Sequence, residues 1–308
     1  MHGGDLPRVT VVVPHYRDLV RLDSCLSALE RQTYPRDRFD IVVADNNSPE
    51  GEAAVSASIA GRAALVVVTE KGAGPNRNGG VSRATGEVLA FTDCDCLPEP
   101  QWLASGVEAL SRYDIVGGDV RVFPDDLDHM TPVETFDRVL GFTNAEYIRD
   151  KGFTVTANLF CLRTVFDAVG GFRNDMSEDV EWSHRARDHG YRLGYAARAI
   201  VQHPARRTWD ELLHKWRRLN RESFGLVPNT ARGRLWWLLR SLLFPASAVA
   251  HTPLMMTTPL LRGWRQRRDA VVTLFRLRLW RMKAAWLILA EDRALPAAAA
   301  KPSKGRQI

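Results

Sequence analysis

Val88-Leu89-Ala90-Phe91-Thr92-Asp93-Cys94-Asp95 is the stretch on which the reading of this chain turns. Its apolar half reads as a strand buried on both faces, and Cys96-Leu97-Pro98 ends it. Two carboxylates one residue apart at the carboxyl end of a buried strand repel each other and lose hydration. A cation shared with a phosphate-bearing ligand compensates both costs. Asp-x-Asp alone is equally a turn former, so its weight comes from what surrounds it.

Upstream, strands and helices alternate. Residues 9–13 are a β-branched run stopped by Pro14, and Leu22, Cys25, Leu26 and Leu29 follow at helical spacing. Residues 39–44 form a second strand ending at Asp45, and 64–68 a third; Gly72 to Gly80 opens a helix. Continuous apolar strands separated by helices predict an α/β fold, a mostly parallel sheet with helices on both faces. Ligands are expected beyond the strand carboxyl ends. Asp45, Arg77 and Asp93 all fall there, which points to a nucleotide-type pocket.

Downstream the pattern is less regular. Short strands are expected at 115–118 and 120–123, a helix over 135–148, and strands at 154–160 and 191–199. Ser177 can cap a helix whose first turn holds Glu178 and Asp179, favourably placed at its positive end. Ile200-Val201-Gln202-His203-Pro204 follows the last strand.

From Trp209 the character changes. Trp209, Leu212, Leu213, Trp216 and Leu219 make an apolar stripe set among basic residues. Residues 201–308 hold 21 Lys+Arg against 6 Asp+Glu, whereas residues 1–200 hold 21 against 30. An acidic front and a basic, Trp-rich back suggest a catalytic domain joined to a surface that seeks anions. Residues 241–261 carry no formal charge and are long enough to cross a bilayer, but Pro245, Pro253 and Pro259 interrupt them, which favours interfacial binding. Packing of the stripe against a core is the competing reading. The expected division is a domain over 1–207, a helical amphipathic region over 208–293, and a disordered tail over 294–308. No signal peptide is legible at the start, and Cys25, Cys161 and a Cys94-x-Cys96 with no second pair suggest a reduced, cytoplasmic setting, with the basic region at the inner face of a membrane. The basic region has no zinc finger, RNA-binding motif or helix-turn-helix, so nucleic acid is not an expected partner.

Six pieces taken in order resemble the family 2 glycosyltransferases of GT-A fold. They are Val11-Val12-Val13-Pro14-His15-Tyr16, Val43-Ala44-Asp45-Asn46-Asn47-Ser48, Gly74-Pro75-Asn76-Arg77-Asn78-Gly79, Phe91-Thr92-Asp93-Cys94-Asp95, Gly170-Gly171-Phe172 and Glu178-Asp179. The resemblance covers roughly residues 8–205. It implies an inverting, metal-dependent enzyme that uses a nucleotide-diphosphate sugar donor. Pro14, Tyr16 and Asp45 would form the base and ribose pocket, though Asp45 also suits an Asx-turn. Arg77 would face the diphosphate, or else be a solvated arginine at a helix start. Asp93 would contact ribose or metal-bound water, and Asp95 would bind Mn2+ or Mg2+, with His203 as a further ligand or an ordinary packing histidine. Asp179 would be the general base, or a helix-dipole acid. Glu178 and Trp182 would meet the acceptor, with core packing the alternative for Trp182.

Two departures from the family pattern qualify this. Asn46-Asn47 stands where many relatives have Asp-Gly, which loosens inference about the donor. The Gln-x-x-Arg-Trp pattern of processive members has only Leu212-Leu213-His214-Lys215-Trp216 as its nearest match, so transfer of a single sugar is expected. The basic, Trp-rich region behind a sugar-transfer domain suggests docking on an anionic membrane surface and hence a sugar, glycan or lipid-linked acceptor in cell-envelope synthesis. Nucleotidyl transfer and a non-catalytic sugar-nucleotide or membrane scaffold are the competing functions. The first would want a Gly-rich, basic loop after the first strand, where Pro14-His15-Tyr16-Arg17 stands.

Overall fold

Residues 6–174, 177–225 and 227–294 are described by the structure, a computed structural model. The tail expected to be disordered lies, from residue 295 on, outside the described residues.

The β-branched run at the start forms β1 (Val9–His15), buried along almost all its length. Helix α1 (Leu19–Glu30) follows, its first turn capped by Asp18 and its Leu22, Cys25, Leu26 and Leu29 turned into the core. Then come β2 (Phe39–Asp45), α2 (Glu52–Ile59), β3 (Ala64–Val67), α3 (Ala73–Ser82) and β4 (Val88–Phe91). Strands β1 to β4 are mutually parallel, in spatial order β3-β2-β1-β4. This half matches the alternation read from the sequence, because each strand is apolar without interruption and each crossover has a legible helix.

The rest of the sheet is β5 (Leu97–Pro98), α4 (Trp102–Leu110), β6 (Ile115–Phe123), α5 (Pro132–Leu140), α6 (Asn144–Glu146), β7 (Leu159–Leu162), α7 (Arg163–Val169), α8 (Glu178–Asp188) and β8 (Leu193–Pro204). Beyond β4 the order runs β7-β6-β8-β5, with β7 antiparallel to both β4 and β6, β8 parallel to β6, and β5 antiparallel to β8.

Several sequence expectations fail in this half. The two short strands at 115–123 are one strand, and the last strand runs on to Pro204 instead of ending at Ala199. A register shift between Gly118 and Asp119 explains both: Gly118 pairs with Ala196 but Asp119 with Ile200, so Ala197, Arg198 and Ala199 bulge out of the ladder. The helix expected over 135–148 breaks after Leu140, and 156–158 form a 3-10 turn, so β7 starts only at Leu159. Asn158 accounts for that turn. Its amide donates to Asp119 O at 2.8 Å and Ala199 O at 2.9 Å, carbonyls the bulge leaves unpaired, while its Oδ1 accepts from Trp102 Nε1 at 2.9 Å.

The chain divides into two compact units, and helix α5 is not part of the first. One unit comprises residues up to Leu127 with Leu140–Ala205; the other comprises Asp128–Val139 with residues from Arg206 on. The second contains α9 (Trp209–Gly225), α10 (Ala231–Leu242), α11 (Phe244–Thr257) and α12 (Gly263–Ala294). Within it, buried Asp137 of α5 accepts from Arg206 Nη1 at 3.0 Å and from Arg206 N at 3.0 Å. The tryptophans serve two ends. Trp209 and Trp216 on α9 stack under Arg276 and Arg281 of α12 at 4.0 and 3.9 Å, whereas Trp236, Trp264 and Trp286 are exposed. Among the described residues no helix is long and apolar enough to cross a membrane. The uncharged stretch 241–261 is cut by a turn after α10 and by the end of α11 at Thr257.

Asn158→Ala strips two carbonyls and an indole N–H of their partners at once. It is expected to lower stability by roughly 3 kcal/mol in urea unfolding, since each orphaned buried group costs about 1–3 kcal/mol.

Candidate functional site

The candidate residues lie at or just beyond the carboxyl ends of β1, β2 and β4, in α3, in the first turns of α8 and near the end of β8. His15 closes β1 directly opposite Asp45, which closes β2. His15 Nδ1 donates to Asp45 Oδ1 at 2.7 Å, Ser48 Oγ donates to the same oxygen at 2.5 Å, and Ser48 N donates to Oδ2 at 2.9 Å. Asp45 is 1% exposed. The carboxylate expected to accept from a base edge therefore accepts from within the protein, and acts by holding the 46–48 loop. Asn46 extends that scaffold, donating to Val68 O and Glu70 O while accepting from Gly72 N at 3.1 Å. Beyond the strand ends, Arg17 and Asn47 both have positive φ, 69° and 55°, backbone strain concentrated at these loops. Pro14 is half-buried, and Tyr16 is exposed with the Arg17 guanidinium 5.1 Å from its ring centroid.

Arg77 is the junction. It is 4% exposed, donating to Asp93 Oδ1 at 2.6 Å and to Glu178 Oε1 at 2.9 Å. The guanidinium expected to face a diphosphate is thus occupied by two carboxylates, and Glu178 is its partner before it is anything to an acceptor. Desolvation opposes the charge of Arg77, but Asp93 and Glu178 outweigh it and raise its pKa. Neighbouring contacts fix the bridge. Asn78, one residue on, donates to Phe172 O at 2.8 Å and accepts from Phe172 N at 2.9 Å, joining α3 to the Gly170–Phe172 loop. At Gly74 a Cβ would lie 2.9 Å from Arg173 O, so only glycine allows that approach.

Past Asp93 the loop carries Asp95, whose Oδ2 lies 3.5 Å from His203 Nε2. His203 Nδ1 donates to Pro204 O at 2.7 Å, so neutral imidazole turns a lone pair from Nε2 toward a carboxylate. Two acceptors facing each other call for a proton or a cation between them. Asp93, Asp95 and Cys96 bring ligand atoms within 4.8 Å of one another. Burial, then the charges of Asp95 and Asp93, raise the Cys96 thiol well above its ordinary pKa without a cation, and the two carboxylates supply hard oxygen donors. The residues fit a divalent cation of the Mg2+ or Mn2+ type.

At α8, Ser177 occupies the cap position, but its hydroxyl donates to Asp179 Oδ1 at 2.9 Å and caps no backbone N–H. Val180 N donates to the same oxygen at 2.8 Å. Burial and the neighbouring Glu178 charge still raise the Asp179 pKa to about 6. Trp182 follows its packing alternative. It is 0% exposed, packs on Phe166 and Phe172 at 5.7 and 5.5 Å, and donates its N–H to Gly170 O, so no ring face is left for a sugar.

The sequence reading passed over His15, Ser48 and Asn78. Their signal was positional: a polar residue ending an apolar strand, and an asparagine inside a Gly-rich helix start. Removing Arg77 as Arg77→Met leaves two carboxylates facing each other with no cation. The expected cost is about 3–5 kcal/mol in denaturant unfolding, and an unchanged midpoint would show the bridge to be dispensable.

The sequence model described as glycosyl transferase family 2 matches residues 10–173. Glycosyltransferase AglE of Haloferax volcanii is 35% identical over 219 residues, 68% of this chain and 71% of the relative. Probable glycosyltransferase YdaM of Bacillus subtilis is 25% identical over 228 residues, 69% of this chain but 53% of YdaM, so this chain spans about half its length. Among solved structures, the mannosyltransferase PcManGT of Pyrobaculum calidifontis, in complex with GDP-Man and Mn2+, aligns at a TM-score of 0.50 and 22% identity, covering 96% of this chain and 78% of that one. The likeness identifies the sheet and its helices as the GT-A fold.

Proposed function

The chain belongs to glycosyl transferase family 2, and on that premise we propose that it transfers a single sugar from a nucleotide-diphosphate sugar to an acceptor hydroxyl with inversion. The observation that carries the reading is the Arg77 bridge. It ties Asp93, two residues from Asp95, to Glu178, one residue from Asp179. Asp93 and Glu178 are thereby held to one guanidinium, with Asp95 and the candidate base Asp179 two residues and one residue away along the chain.

In this reading Tyr16 and Pro14 flank the base and ribose, and His15, Asp45 and Ser48 hold that loop in shape from beneath. Asp93 reaches the ribose with the oxygen that Arg77 leaves free. Asp95 and His203 would hold Mn2+ or Mg2+, in keeping with the Mn2+ of the PcManGT complex. A cation bound there supplies Lewis-acid stabilisation for the departing diphosphate.

Asp179 takes the proton of the acceptor hydroxyl as that oxygen bonds to the anomeric carbon. The bond from carbon to the phosphate oxygen breaks, and its electron pair leaves with the nucleoside diphosphate. A pKa of about 6 suits a general base, because the carboxylate is ionised at neutral pH yet more basic than an ordinary aspartate. Arg77 moderates the negative charge that both carboxylate pairs add to the cleft. The acceptor is a sugar, glycan or lipid-linked hydroxyl of cell-envelope synthesis, met at an anionic membrane face. The processive motif is missing from the 212–216 segment, which favours one transfer per encounter.

A panel of nucleotide sugars assayed for Mn2+-dependent hydrolysis tests the donor half. One donor should saturate, and Asp95→Asn should abolish the Mn2+-dependent turnover; undiminished Mn2+-dependent turnover in that variant would refute the metal role. Asp179→Asn should lower kcat by about a thousandfold or more with donor KM retained. Wild-type kcat should fall as pH drops through about 6. Stability should move the opposite way. Because the folded pKa of Asp179 lies above its unfolded value, its ionisation costs stability as pH rises through that window. Asp179→Asn should therefore be the more stable protein above pH 6 and equal to wild type below about pH 4. Equal melting curves at both pH values would contradict the raised pKa of this carboxylate.

A further inference from the structure

The outward face of α10 is apolar where a helix in a water-exposed domain is ordinarily polar. Leu235, Trp236, Leu239, Leu242 and the capping Leu243 are each between 48% and 64% exposed. At 3.6 residues per turn they fall within about 120° of the helix circumference. The other side of α10 carries the buried Gly233, Trp237 and Ser241, with Trp237 Nε1 donating to Ala285 O at 3.0 Å. The helix is thus anchored by its inner face, and the five outer side chains are surplus to that packing. Trp286 of α12 is 42% exposed and donates to Ser241 Oγ on the inner side of α10 at 2.9 Å, a further anchor of that side.

Charge says what covers it. Helix α10 has three arginines and no acidic residue. Arg234 is paired with Asp292 at 2.8 Å, while Arg232 and Arg240 are exposed and Arg240 lies 5.3 Å from the Trp236 ring centroid. A second copy would press this basic face against itself, and residues 201–308 carry 21 Lys+Arg to 6 Asp+Glu. An anionic bilayer offers the opposite charge. Leu and Trp enter the headgroup boundary there, and arginines reach the phosphates from apolar stems. With no helix long and apolar enough to cross, among the described residues, the helix would lie in the interface.

We propose that the α10 face centred on Trp236 docks this protein onto an anionic lipid bilayer. The inference rests on the reading above only in that a lipid-linked acceptor would be met there. The test mixes the full chain with vesicles of phosphatidylcholine alone or with one-third phosphatidylglycerol, following co-sedimentation and tryptophan emission. The expected result is blue-shifted emission and binding to the anionic vesicles at least tenfold tighter than to neutral ones, reversed by salt. The triple variant Leu235→Ser, Trp236→Ser, Leu239→Ser should lose at least tenfold in vesicle affinity and keep donor hydrolysis in vesicle-free solution. Arg232→Glu with Arg240→Glu should lose the preference for anionic lipid. Asp95→Asn should bind vesicles like wild type, which separates failure of docking from failure of transfer. Undiminished vesicle binding by the triple variant would overturn the proposal. So would a stable dimer in sedimentation velocity that the same three substitutions disperse, since that makes a second copy the occupant.

Discussion

The site depends on a single buried cation. Arg77 is removed from water and its charge must be compensated; Asp93 and Glu178 do so at 2.6 and 2.9 Å. The same reasoning holds in reverse, since those carboxylates crowd Asp95 and Asp179 and would repel without the guanidinium. Asn78 and the Gly170–Phe172 loop fix where that guanidinium lies, so the bridge is set by packing rather than by charge alone.

Polar groups around this bridge are left unfinished. In the first unit, five buried side-chain atoms among the described residues lack a hydrogen-bond partner in the protein, and four belong to His15, Asn76, Arg77 and Thr92. All four residues stand at the carboxyl ends of β1 and β4 or in the first turns of α3. An unmet donor or acceptor inside a protein is expensive. These atoms concentrate at the ligand end of a parallel sheet. The raised pKa of Asp179 is a further cost carried at the same end.

The first half of the fold was legible because β1 to β4 are uninterrupted apolar strands, and the motif positions follow from where those strands stop. The antiparallel half was not, because the bulge at 197–199 and the Asn158 bonds that complete it join residues about 40 positions apart, which periodicity cannot register. The site was legible as a set of loci and less so as a set of contacts. Asp93 and Asp95 lie on the loop after β4, His203 on β8 and Asp179 in the first turn of α8, while Asp45, Arg77 and Asp93 are engaged by protein partners and Trp182 is core. A residue type and its place after a strand do not say which partners its side chain already holds. The basic region repeats the lesson, since Trp216 packs under Arg281 while Trp236, on the next helix, faces out.

On the proposed reading, what would link these parts is a cation held by Asp95 of the loop after β4 and by His203 of β8. Anomalous diffraction at the manganese edge, from crystals soaked with Mn2+ and a nucleoside diphosphate, examines that directly. The account predicts one strong peak between Asp95 and His203 Nε2. A peak elsewhere, or a filled nucleotide pocket with no metal density beside Asp95, would contradict it.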